Sequence, residues 1–180
     1  MFATVEPQPQ DNPAPQKDWL VHDRAGTKMT AEDITDGLRS LKEEDFDYSN
    51  PKMNGPDVLR QLTNAIVKFS DPQVFVSELF SVMERLPTSE LGSPGPLVHT
   101  LESIPGYEKE LIRSVHRLPT VLSVWMVNRL LNTMLSDDDR TKYLSLLQDA
   151  MANMRATEST RIDASKFLEL QLGKRGSSIQ

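Results

Sequence analysis

Few side chains in this 180-residue sequence have the types and spacing that chemistry needs. His22, His99 and His116 are scattered, with no HxxxH or HxxE spacing to gather metal ligands or a general base. His99 falls on a short amphipathic stretch. His116 falls near a helix C-terminus, where a cation is favourable. Each reads as a structural or surface residue. Asp137, Asp138 and Asp139 are adjacent. At a helix start, neighbouring acids point in different directions and suit the positive dipole end better than a single cation. There is no glycine-rich phosphate loop, nucleophile elbow or kinase-like set. Zero Cys removes thiolate zinc sites, a Cys nucleophile and a disulfide framework. The expectation is therefore no enzyme, no cofactor and no metal.

Charge carries more information than reactive groups. The chain has Lys+Arg 20 against Asp+Glu 26, a net charge of −6. Residues 1–55 hold 11 acids and 6 bases, so most of the excess lies in the first third. It is densest from Glu32 to Asp47, through Asp33, Asp36, Glu43, Glu44 and Asp45, against Arg39 and Lys42. Two readings stand side by side: a solvated helix face and loop, or a docking surface for a basic partner. Complementary charge speeds association and selects partners. The same balance disfavours nucleic acid and anionic membranes. Arg113 and Arg117 share a helix face at i,i+4 and, with Arg129, form the main basic feature. They suit a phosphate or an acidic loop, or equally Glu108, Glu110 or helix-end carbonyls nearby.

These groups must be positioned by helices. Residues 1–18 carry Pro7, Pro9, Pro13 and Pro15 with few large apolar groups, and are expected to be a disordered Pro/Gln-rich tail. The tail lacks the basic and apolar regions of a signal peptide, and no stretch approaches a membrane span. Residues 19–55 form an acidic segment. Two short strands are expected around a turn at 23–26, with Trp19 as an alternative anchor on the helical body. Thr30 with Asp33 makes a capping box for a helix over about 31–42. Gly55–Pro56–Asp57 and Gly95–Pro96 open further helices. Others start at Asp71–Pro72, near Tyr107, at Thr120, at Ser136–Asp137 and near Glu158. Apolar residues recur at 3–4 spacing along all of them, which predicts seven helices of roughly 10–16 residues in a body spanning 56–172. The last helix is expected to stop at Gly173, leaving 173–180 frayed. Met83, Met134, Met151 and Met154 read as core residues that fill gaps, Trp125 reads as core, and Ile162, Phe167, Leu168 and Leu172 are expected to point inward from the last helix.

GPDVLRQL opens at Gly55, GPLVHTLE opens at Gly95, and a third helix pair opens at Asp137. These near-even intervals match the period of two-helix solenoid repeats. The fold class expected is all-α, a short HEAT-like stack of three helical hairpins with an N-terminal acidic extension. An irregular bundle is the alternative.

The segment 95–132 holds Gly95–Pro96–Leu97–Val98, Tyr107, Ser114, Arg117, Pro119–Thr120 and Val124–Trp125–Met126–Val127–Asn128–Arg129. It resembles a family of small all-helical bacterial immunity proteins of polymorphic toxin systems, of the contact-dependent inhibition type. The resemblance is strong over this segment, looser over the rest of the helical body, and leaves out positions 1–50. It implies a cytoplasmic protein that binds one cognate toxin domain, with a basic nuclease the expected class, and occludes its active or substrate-binding surface. The expected partner-binding residues are Asp33, Asp36, Glu43, Glu44, Asp45 and Asp47, followed by Asp137, Asp138 and Asp139. The competing reading is a noncatalytic helical-repeat adaptor that binds a peptide or protein in its groove.

Overall fold

The computed structural model describes the backbone of Val21–His22 and of residues 28–176, with side chains from 29 to 173. The Pro/Gln-rich tail, Trp19 and the turn expected at 23–26 lie outside the described residues.

The chain opens with two two-residue strands, β1 (Val21–His22) and β2 (Lys28–Met29), paired antiparallel with Val21 opposite Met29 and His22 opposite Lys28. Every other regular element described is helical. Helix α1 spans Ala31–Ser40 and carries the expected capping box: Thr30 Oγ1 accepts from the Asp33 amide at 3.1 Å, and the Asp33 carboxylate accepts from the Thr30 amide at 2.8 Å. Seven α-helices follow among the described residues: α2 (Gly55–Val67), α3 (Val76–Arg85), α4 (Gly95–Glu102), α5 (Glu108–Arg117), α6 (Val121–Leu131), α7 (Asp137–Ala152) and α8 (Glu158–Gly176). Two differ from the expected lengths, α4 with 8 residues and α8 with 19. Helix α8 passes through Gly173, so that glycine does not end it. The stretch expected to be one helix from Pro72 begins as a 3₁₀ turn, Pro72–Phe75, capped by Asp71 accepting from the Gln73 amide.

The helices pack as a two-row stack. Helices α1, α3, α5 and α7 form one row, each packed on the next, while α2 packs on α4 across from it. One helix cannot bury its apolar stripe alone; stacking lets neighbours share one continuous core. The hairpin expectation is refined at the far end. Helices α7 and α8 make the most extensive contact among the described elements, and α6 packs on both, so that end is a three-helix unit. The core runs unbroken from Ile34 and Leu38 in α1, through Phe75, Phe80, Leu97 and Leu111, to Leu147 and Ala164.

The two Gly-Pro starts arise from different constraints. A Cβ on Gly55 would lie 2.6 Å from the Asp45 carbonyl oxygen and 2.9 Å from the Phe46 ring, so only glycine admits that approach. Gly95 has open space around it but adopts φ +59°, the left-handed region.

Four core assignments are corrected. Met134 and Met154 are fully or almost fully exposed, at 103% and 88%. Both lie past the ends of α6 and α7, where helical spacing no longer decides direction. Ile162 and Leu172, expected to point inward, are about half exposed because α8 closes the stack and is covered on one side only. Met83 is buried, and Met151 and Trp125 are partly buried against the core.

Candidate functional site: an acidic edge at the start of the stack

The acidic stretch folds as α1, a short extended link and a 3₁₀ turn, Glu43–Phe46. Its apolar residues point inward: Ile34, Leu38, Leu41 and Phe46 are all buried. Its acids point outward. Glu32, Asp33, Asp36, Glu43, Glu44 and Asp47 are exposed, and Asp45 is half-buried. Phe46 is the plug that holds the turn, resting against the glycine at the start of α2.

Side chains of the body fix this edge. Arg85, in the last turn of α3, donates to the carbonyls of Leu38 (2.8 Å) and Leu41 (3.0 Å). These carbonyls belong to the C-terminal end of α1, where unpaired acceptors and the negative dipole end favour a cation. Arg39 pairs with Glu78 of α3. Thr88 Oγ1 reaches Glu43 at 3.4 Å.

The carboxylates fall into two sets. Asp33, Asp45 and Asp47 are used locally. Asp33 closes the α1 cap, Asp45 accepts from the Lys42 amide at 2.8 Å, and Asp47 accepts from the Ser49 hydroxyl and amide, both at 2.8 Å. Hydrogen bonds from the Thr30 amide and hydroxyl hold the Asp33 carboxyl below its ordinary range; those from the Ser49 hydroxyl and amide do the same for Asp47. Glu32, Asp36, Glu43 and Glu44 carry their charge on the surface, Glu44 with only a loose 3.6 Å approach from Lys42.

The second acidic group is elsewhere. Asp137, Asp138 and Asp139 form the exposed first turn of α7, with Ser136 as cap accepting from the Asp139 amide at 3.1 Å. Helix α1 packs on α2 and α3, whereas α7 packs on α5, α6 and α8. The fold therefore does not bring the two acidic groups together; they mark different ends of the α1–α3–α5–α7 row.

The arginines, left between ligand binding and pairing in the sequence, are paired. Arg117 forks onto Glu84 (Nε–Oε2 2.8 Å, Nη2–Oε1 2.7 Å) and reaches Glu110 at 3.2 Å. Ser114 Oγ donates to the same Glu84 at 2.6 Å, and Arg113 takes the other side of Glu110 at 3.2 Å. The two-carboxylate cage raises the Arg117 guanidinium's pKa further, the Glu84 hydrogen bond foremost. Arg129 forks onto Glu102 (2.6 and 3.0 Å) and lies 4.8 Å from the Trp125 ring centre. Glu110 was visible in the sequence as an i,i+3 partner of Arg113. Glu84, carried by α3 rather than α5, was not.

His99 and His116 are exposed, and His116 Nε2 lies 3.4 Å from Asp149. Among the described residues no group of three or more His, Asp or Glu is placed to hold a metal ion. A crevice of about 310 Å³ lies between the 86–93 loop and the start of α6, and its lining offers Glu90 as a titratable group. No described helix is long and apolar enough to cross a membrane. Comparison with protein-family models, with curated proteins and with solved structures finds no match to this chain.

Proposed function

We propose that this chain is a binding protein that covers a cationic surface of one protein partner, acting as an immunity protein of the kind its 95–132 segment resembles. The partner in this reading is a toxin domain with a basic, nucleic-acid-binding face, and inhibition is by occlusion. One observation supports it above others: Glu32, Asp36, Glu43 and Glu44 stand exposed on an edge whose backbone is held by Phe46 and Arg85. Charges preorganised on a stiff frame lose little conformational entropy on docking and steer a basic partner during approach. Asp33, Asp45 and Asp47 serve as frame as well as charge. Asp137, Asp138 and Asp139 belong to a different end and would be a separate contact.

The test is co-expression with a toxin domain, which this reading expects the gene immediately upstream to encode. The expected result is growth with this chain and arrest without it. Arrest in both cases would end the immunity reading.

A further inference from the structure

The acidic turn has a neighbour. Thr88, whose hydroxyl reaches Glu43 at 3.4 Å, belongs to the loop that joins α3 to α4, and the same loop walls the crevice of about 310 Å³ at the start of α6. Turn and crevice are linked through Thr88, Ser89 and Glu90. The wall is tied in place. The Ser89 amide donates to the Leu86 carbonyl (3.2 Å), the Leu91 amide donates to the Ser89 carbonyl (2.9 Å), and Leu91 is buried. A wall held this way exists before anything docks, so little ordering entropy is lost against it.

The lining divides by chemistry. Met83, Leu86 and Leu91 are buried, and Val121 and Leu122 are half-buried, which makes it largely aliphatic. Its polar part consists of hydroxyls and one acid, the exposed Glu90; no Lys or Arg lines it. Charge decides what enters. Val121 and Leu122 begin α6, and the positive end of that helix disfavours a cation beside them. The exposed Glu90 and Glu43 favour a cation outside, and both oppose an anion. The arginines closest in sequence are held elsewhere, Arg85 by the Leu38 and Leu41 carbonyls and Arg161 by the Ala156 carbonyl. An aliphatic group inside with cations beside it therefore matches the lining. The volume suits a single side chain, since it lies at the lower limit, roughly 300 Å³, of pockets that take a whole small ligand.

We propose that this crevice is the anchor pocket of the docking surface: it receives an aliphatic side chain from a loop of the cationic protein partner, with lysines or arginines flanking that side chain set against Glu43 and Glu90. The proposal rests on the reading of a cationic partner and names what that partner must carry. An apolar anchor in a pocket holds a complex together, while the exposed carboxylates speed its formation.

The test uses the full chain and NMR, with the tripeptide acetyl-Lys-Leu-Lys-amide as probe. It should give saturable shifts at Leu91, Val121, Leu122 and Ser159, with a dissociation constant on the order of 1 mM. Acetyl-Glu-Leu-Glu-amide should bind about tenfold more weakly or worse. Acetyl-Lys-Ser-Lys-amide, which lacks the aliphatic anchor, should leave those residues unshifted. Ser159→Trp, at an exposed position of the lining, should obstruct the crevice and abolish the shifts. Leu122→Ser removes part of the aliphatic wall and should weaken binding, so the test stands if one variant folds poorly. Equal shifts from the Glu or the Ser peptide, shifts confined to residues 43–47, no saturable shifts, or native binding by both variants would overturn the proposal. Tripeptide binding without protection from toxin would count against the immunity reading alone; protection without tripeptide binding would count against this pocket alone.

Discussion

The α1 edge and the α3–α5 face hold similar numbers of charges and use them in opposite ways. On the α3–α5 face, Glu84 and Glu110 are mostly covered and Arg113, Arg117 and Ser114 meet them, so charge is spent inside the molecule to join two helices. On the α1 edge the joining is done by apolar plugs, by Arg85 on backbone carbonyls and by one ion pair, Arg39 with Glu78, whose carboxylate belongs to α3. Glu32, Asp36, Glu43 and Glu44 are left facing solvent, with Lys42 3.6 Å from Glu44 and Arg39 in the field of Asp36. Net charge in a sequence segment does not separate these cases. What separates them is whether a carboxylate has a partner across a helix interface, and such a partner is fixed by packing rather than by spacing.

The largest effect is expected at Phe46, which anchors the α1 edge. Phe46→Ala removes a buried ring and leaves a cavity beside Gly55, which should cost about 3–4 kcal/mol in urea denaturation. It should also release the 43–47 turn, detected as faster amide exchange confined to residues 42–50. A cost below about 1 kcal/mol would mean that the turn is not anchored by its aromatic plug. The α3–α5 face should respond less. Arg117→Met leaves Glu84 facing an apolar stem, yet the Arg117 side chain is 44% exposed, so solvent screens part of the loss. The expected cost is about 1–2 kcal/mol, with partial recovery on adding Glu84→Gln, because the unpaired charge then disappears. No recovery would show that Arg117 acts by packing rather than by neutralising Glu84.

Much of the fold was legible because helix starts are local events. Thr30 with Asp33, Pro56 with Asp57, and Thr120 each declare a first turn within a few positions, and the 3–4 spacing of Leu59, Leu62 and Ile66 declares a buried face. The rule fails where the helix has ended, as at Met134 and Met154. It fails again where a terminal helix has neighbours on one side only, as at Ile162 and Leu172. The acids of the candidate site were legible as a cluster. Their division was only partly so: the Thr30–Asp33 box is a sequence pattern, but the hold of Arg85 on Leu38 and Leu41 joins α3 to α1 past the whole of α2.

In the proposed function, exposed charge on the α1 edge, and not the fold beneath it, engages the cationic partner. The most direct measurement is the association rate constant with the toxin domain, as a function of salt, for the native chain and for E43K/E44K. Folding stability should be unchanged to within about 0.5 kcal/mol, with the association rate at low salt reduced about tenfold or more and the salt dependence flattened. An equally fast, equally salt-sensitive association by the charge-reversed chain would contradict it.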